Sequence, residues 1–473
     1  MMLAIMAAAG TALLLWFVQL ERQDRRETVF AVVVVVFIVE QLLFQSQTDV
    51  PSGLFRLPFG VGDLRPPELL LPLALFARCF GHQSRRGVAA TTFTWALFCA
   101  WYLASGVIGY LEGNPTSEII YQGKAVVSVF GGLALAAGVR PDRIIEARLL
   151  GRFLKVLAVT TAVLVITTVA EFTIAVNIPL LEVPQLGLLE ADAQLLLPIL
   201  GAIGLLVETC RSSIRRPVLL ACLVLFASPL AGTQAAAYLS VATLVAAVAI
   251  AATGSTWRRR VRITPTETGV AFAALSFVAL LMALTVVPSS LDLAAQVDDT
   301  LLSESQGRTT NARTTLWGEA VDTIADRPIL GSGLGIRQEL RPEYDPMNPI
   351  KVTSHNVFLD VALRSGLTGL LLFLSALMMT VREGLGTWRR DHDGAIAALA
   401  LGALVGLAAL LANAMVVSSL ERFRHAGLLG LLVGIIAACA AYREPDGGTS
   451  APAHVGRRGA FQDDTPPSIG DHR

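Results

Sequence analysis

Runs of about twenty consecutive apolar residues recur along the whole chain, and they leave few folds open. Wound as an α-helix, a run of that length crosses the roughly 30 Å hydrocarbon core of a bilayer. In lipid every backbone N–H and C=O must be paired inside the protein, so only helices and closed barrels cross. Barrel strands are short and alternate in polarity, whereas these runs are continuous and rich in Leu, Ala and Val. The chain of 473 residues is 54% hydrophobic and 16% charged, with a mean hydropathy of +0.61, well outside the soluble range. The reading is an all-α polytopic membrane protein with about 12–13 transmembrane helices and one large external loop containing short helices.

Met1–Leu20 has no basic leader and no clear small-residue cleavage site, so it reads as a retained span. Further spans follow up to Val287, giving ten over residues 1–287. The segment RPDRIIEARLLGRFLK, after the fifth, reads as amphipathic and lying at the inner surface. Residues 288–354 are the external loop, and 355–442 hold three more spans starting near His355, Gly394 and Ala426. Residues 443–473, rich in Gly, Pro, Asp and Arg, read as a disordered cytoplasmic tail.

Net charge is zero, because charge here is sorted by side rather than summed. This threading puts Arg85, Arg86, Arg140, Arg143, Arg211, Arg215, Arg216, Arg258, Arg259, Arg260, Arg389 and Arg390 on one side. The opposite short loops hold only Arg56, Arg65, Arg422 and Arg424. The positive-inside rule makes the first side cytoplasmic and the long loop external, which in a bacterium is periplasmic to the inner membrane. A cysteine introduced at Tyr344 is therefore expected to react with an impermeant thiol reagent on intact spheroplasts, and one at Trp257 is not. The reverse labelling would invert the orientation.

The five cysteines, Cys79, Cys99, Cys210, Cys222 and Cys439, lie within or at the ends of spans, where packing is their expected role. The loop has none, which removes disulfide and thiolate chemistry from it.

Within the loop, Asn311–Asp326 has Leu316, Ala320 and Ile324 at helical spacing, with Trp317 and Val321 beside them, and predicts an amphipathic helix. Arg313 precedes Trp317 by four residues and so shares its face, where the indole can brace the guanidinium. Pro328 ends the helix. The GSGLG that follows reads as a turn. A phosphate cradle would need a Walker lysine and a preceding strand, and neither is present.

KVTSHN places Thr353 or Ser354 as the cap of the next span and His355 in its first turn. The helix dipole and nearby arginines would then lower its pKa and keep the imidazole neutral, as a general base for a hydroxyl requires. The other reading is an interfacial histidine that hydrogen-bonds a headgroup. Arg308, Arg313, Arg327, Arg337 and Arg341 fit a solvated surface, or in part a diphosphate site, since a guanidinium grips phosphate with a fixed two-pronged fork. Arg313 is the first candidate and Arg308 the second. Arg364, inside a span, is expected to face the protein interior or snorkel. Asp298 and Asp299 read as a solvated pair rather than a metal site.

The ordered set R-x-x-x-W, DRPILGSGLG, HN-x-F-L and SGLTGLLLFL, spanning Gly307–Phe373, resembles the O-antigen ligase and Wzy-type O-antigen polymerase family of bacterial envelope enzymes. The resemblance implies metal-independent glycosyl transfer at the outer face of the inner membrane, without a cofactor. The implied donor is a glycan on undecaprenyl diphosphate, and the acceptor hydroxyl belongs to a glycan, a lipid or a protein. Membrane lipids are the other expected partners, and nucleic acid is not one. Arg313 matches the family's arginine ahead of the tryptophan, expected to hold the diphosphate. His355 matches its histidine, expected to deprotonate or orient the acceptor. Arg308, Gln234, Asn356 and Arg364 complete the candidate substrate-binding set.

Two positions depart from the family's pattern. Gln234 stands where members often carry another diphosphate-binding arginine, and Arg364 stands where an acid is usual. Either Arg364 or Arg308 supplies the missing cation, or the donor or activity has changed. A transporter or flippase would also have many spans and buried charges, but it usually shows internal repeats, and none is visible. A non-catalytic scaffold would leave His355 and Arg313 freely replaceable.

Overall fold

The computed structural model describes residues 2–43, 57–58, 63–64, 66–78, 90–146, 150–163, 191–210, 215–227, 242–248, 304–340, 350–354, 356–390, 394–415 and 423–442. His355, Gln234, Arg341, Asp298, Asp299 and the whole tenth span lie outside these residues, as do the side chains of Arg308 and Arg313.

Helices dominate, as the apolar runs require. In chain order they are α1 (Met2–Arg22), α2 (Arg26–Leu43), α3 (Pro66–Arg78), α4 (Ala90–Leu111), α5 (Thr116–Ala137) and α6 (Pro141–Glu146). There follow α7 (Ala191–Thr209), α8 (Arg216–Ala227), α9 (Glu304–Asp326), α10 (Val357–Arg390), α11 (Ala395–Ala414) and α12 (Phe423–Ala441). Residues 150–163 and 242–248 are also helical. Among the described residues α4, α5, α10 and α11 are each long and apolar enough to cross a membrane. The chain is an all-α membrane protein. Its only described strands are two small antiparallel ribbons, β1 (Leu57–Pro58) with β2 (Asp63–Leu64), and β3 (Gln338–Leu340) with β4 (Ile350–Val352).

Small residues let the central helices approach closely, which is how helices bind one another where lipid is as apolar as they are. On α12, Gly430 faces the Val129 backbone of α5, and Gly434 faces Leu133 and Ala136. A side chain at any of these contacts would overlap backbone. Between α4 and α10 the filling is aromatic: Trp95, Phe98 and Phe373 pack with ring centroids 5.1–5.7 Å apart. Trp95 Nε1, buried there, donates to Thr380 Oγ1 at 2.9 Å, so its one polar atom is satisfied. Cys99, Cys222 and Cys439 are free and buried, as packing residues should be.

Two arginines tie helix ends together. Arg143 bonds the Asp24 carbonyl (2.7 Å) and carboxylate (3.0 Å), and Arg78 donates to the carbonyls of Ala134 and Leu135. These contacts gather the ends of α1, α3 and α5 with α6 at one end of the bundle. The loop residues 327–338 meet the α4–α5 turn and the start of α10 at the other.

Candidate functional site

α10 does not pass unbroken from the HN motif into the span, as its apolar run suggests. Gly366 sits at φ 69° and ψ −177°, a conformation only glycine adopts readily, and divides it into Val357–Ser365 and Leu367–Arg390. Such a break frees backbone groups in a place with little water, where each one left unpaired costs about 1–3 kcal/mol.

The loop turn supplies the partners. Ser332 N–H donates to Leu363 O (2.9 Å) and Gly333 N–H to Arg364 O (3.0 Å), while Leu367 N–H donates to Pro328 O (2.7 Å). Trp101 Nε1, from α4, takes the Ser365 carbonyl at 3.1 Å. The other side of the turn is bound as fully. Leu334 N–H reaches Ser105 O (3.1 Å), Gly335 N–H reaches Gln122 Oε1 (2.7 Å), and Asn114 Nδ2 holds both Ser332 O and Leu334 O. GSGLG is therefore a plug between α4, α5 and α10. Its amide groups serve protein acceptors, and none of those at Ser332, Gly333, Leu334 and Gly335 is left for a phosphate.

The glycines are there because nothing else fits. Gly331, Gly333 and Gly335 all have positive φ, and a Cβ on Gly333 would overlap the Gly109 backbone.

The loop's amphipathic helix is longer than its apolar spacing shows. α9 begins at Glu304, seven residues before Asn311, because its first two turns are polar and carry no periodic signal. At 23 residues it is not one of the short helices expected. Leu316 and Ala320 are buried as predicted, whereas Val321 is exposed. Gln338, on β3, donates to Leu316 O at 2.7 Å and ties the ribbon beneath the helix.

Trp317 makes the bond that joins the two halves of the motif. Its Nε1 donates to Ser354 O at 2.7 Å. Trp317 follows Arg313 by one helical turn, and Ser354 immediately precedes His355 in the chain. Ser354 is fully buried, and Asp360 Oδ1 accepts both its hydroxyl (2.7 Å) and its N–H (3.2 Å). With that hydroxyl engaged, the expected cap moves. Asn356 caps α10, its Oδ1 accepting from Phe358 N (3.0 Å) and Leu359 N (3.3 Å). The helix starts at Val357, two residues after His355 in the chain, and not at His355 as the capping pattern predicted.

Arg364 faces the interior, 1% exposed. Its Nη1 lies 3.2 Å from the Tyr102 hydroxyl and its Nη2 lies 3.9 Å from Asp360 Oδ1. Two arginines expected on a solvated surface are paired instead: Arg327 with Glu112 (2.6 Å) and Arg337 with Glu118 (2.7 Å), the latter also over the Tyr121 ring. Both acids flank the α4–α5 turn, so these cations clamp the loop to the bundle.

Asn114, Gln122, Trp101 and Asp360 escaped the sequence reading. Gln122 and Asp360 left a usable signal, being polar groups inside apolar runs that need partners. No group of three or more His, Cys, Asp or Glu side chains that could hold a metal occurs among the described residues.

A helical membrane protein whose late loop is plugged into its own helices defines a class but no chemistry. Residues 219–374, about a third of the chain, match the family model described as O-Antigen ligase. That stretch contains the plug, α9 and the first half of α10, and over it the chain is similar to the O-antigen ligase family. No curated protein matches the chain.

Proposed function

We propose that this protein transfers a glycan from undecaprenyl diphosphate to an acceptor hydroxyl at the periplasmic face of a bacterial inner membrane. The acceptor is a growing glycan, a lipid or a protein. His355 deprotonates or orients its hydroxyl, and Arg313 holds the diphosphate that leaves. The reading is supported by the O-antigen ligase match and, above all, by the Trp317–Ser354 bond. That bond ties the helix carrying Arg313 to the residue preceding His355.

The other arginines divide by their partners. Arg327 and Arg337 are spent on Glu112 and Glu118, and Arg364 is turned toward Asp360 and Tyr102. We therefore assign the second cation of the donor site to Arg308, on the same helix as Arg313 and five residues before it. Asn356 serves by fixing the start of α10, and Gln234 is kept as a hydrogen-bond donor to the donor substrate.

Arg313 is tested by charge and shape together. A lysine keeps the charge but loses the two-pronged fork. Arg313→Lys is expected to lower transfer from a lipid-linked donor by roughly tenfold or more, the loss of a charge-assisted hydrogen bond of about 1.5–3 kcal/mol. Arg341→Ala should leave the rate near the parent's. Parent-level transfer by Arg313→Ala would remove this residue from the mechanism.

A further inference from the structure

We propose that the turn Pro328–Leu330 is embedded in the bilayer, its Ile329 and Leu330 side chains among the acyl chains of the leaflet nearest the loop. The inference holds or fails independently of the glycan-transfer reading, since it concerns only where the lipid ends.

Three observations carry it. First, Ile329 and Leu330 are 68% and 48% exposed although they belong to a loop expected in water, and their neighbours on α10, Leu367 and Leu371, are 47% and 64% exposed. Second, the turn lies directly on the break in α10. Pro328 O accepts from Leu367 N–H, and a Cβ on Gly366 would overlap the Ile329 carbonyl. Ile329 and Leu367 therefore sit at one height, and the exposed side chains continue the lipid-facing stripe of the span. Third, the length of the span puts that height within the lipid. The apolar run of α10 ends at Val381, before the charged Arg382 and Glu383, and about twenty residues counted back from there at ~1.5 Å each cover the ~30 Å hydrocarbon core and reach Val361. Val357–Asp360 then lies at headgroup level, and Ile329, beside Leu367, lies within the acyl region.

Polar groups mark the other side of the boundary. The half-exposed pair Arg327–Glu112 stands just before the turn in the chain, where headgroups and water would meet it. Isolated exposed Ile or Leu residues are ordinary on soluble surfaces, but here they adjoin a surface that must face lipid.

Spin labels on cysteines placed at Ile329 and Leu330, in full-length protein reconstituted into phosphatidylcholine vesicles, test this. The signal of the unsubstituted protein, labelled in parallel, is subtracted. Both sites are exposed, so a label displaces no packing. Relaxation by oxygen, which concentrates in acyl chains, is expected to exceed relaxation by a water-soluble nickel chelate at both, as at a Leu371→Cys reference within the span. Asp322→Cys, on the exposed face of α9, is expected to show the opposite ratio, several-fold lower. Labels at 329 and 330 that follow Asp322 instead of Leu371 would overturn the proposal.

Discussion

His355→Ala is expected to lower glycan transfer by roughly 10²–10⁴-fold, the usual contribution of a positioned acid–base group. Membrane insertion should be unchanged. The described contacts that seat this end of α10 belong to other residues: Ser354 with Asp360 and Trp317, and the Asn356 cap. Donor binding should survive too, because the arginines of α9 carry it in this reading, so lipid-linked glycan should accumulate in cells. His355→Gln separates orientation from proton transfer. Glutamine can hold a hydroxyl but cannot accept its proton at neutral pH, so recovery of the parent rate would point to orientation. A purified His355→Ala protein that transfers at the parent rate would leave an interfacial histidine and nothing more.

Gly366→Ala is expected to undock the loop. An alanine at φ 69° and ψ −177° is strained by about 1–3 kcal/mol. Its Cβ would also overlap the Ile329 carbonyl, so the strained conformation cannot be kept while the turn stays seated. Releasing the turn exposes the carbonyls of Leu363 and Arg364 and the Leu367 amide together. Spheroplasts should then show faster cleavage by added trypsin after Arg337, which undocking frees from Glu118, with transfer lost and the protein still in the membrane. Gly318→Ala is the control. Gly318 lies inside α9 with nothing within 4 Å of an added Cβ, so alanine there should be neutral or stabilising by about 1 kcal/mol. Equal protease resistance in Gly366→Ala and the parent would refute the keyed arrangement.

What could be read in advance follows from which signals are local. Ala191–Thr209 reads as a helix by apolar length alone, and the helix has those bounds. Leu316 and Ala320 are buried as their spacing requires. The break at Gly366 was hidden because SGLTG sits inside an otherwise uninterrupted apolar run, where a glycine reads as tolerated. Its cause is a partner more than thirty residues earlier in the chain, the turn at Pro328–Gly333, and no local pattern reports such a partner. The arginines failed for the same reason. Arg327 and Arg337 are indistinguishable from solvated cations until the α4–α5 turn brings Glu112 and Glu118 to them. The cap shifted from Ser354 to Asn356 because Asp360, one turn into the helix, claims the serine hydroxyl first.

The plug also fixes an order of events during biogenesis. Spans α4 and α5 precede the loop in the chain, and α10 follows it, yet the three share one set of bonds through Ser332–Gly335. Until the loop has docked, the first half of α10 ends in bare carbonyls and α9 has no ribbon or Ser354 to rest on. A chain that inserts α10 without seating the loop thus holds an unfinished helix at its surface, a state that membrane proteases can recognise. Only a correctly threaded protein closes the joint, so any chemistry the loop carries is confined to the side of the membrane where the loop has arrived.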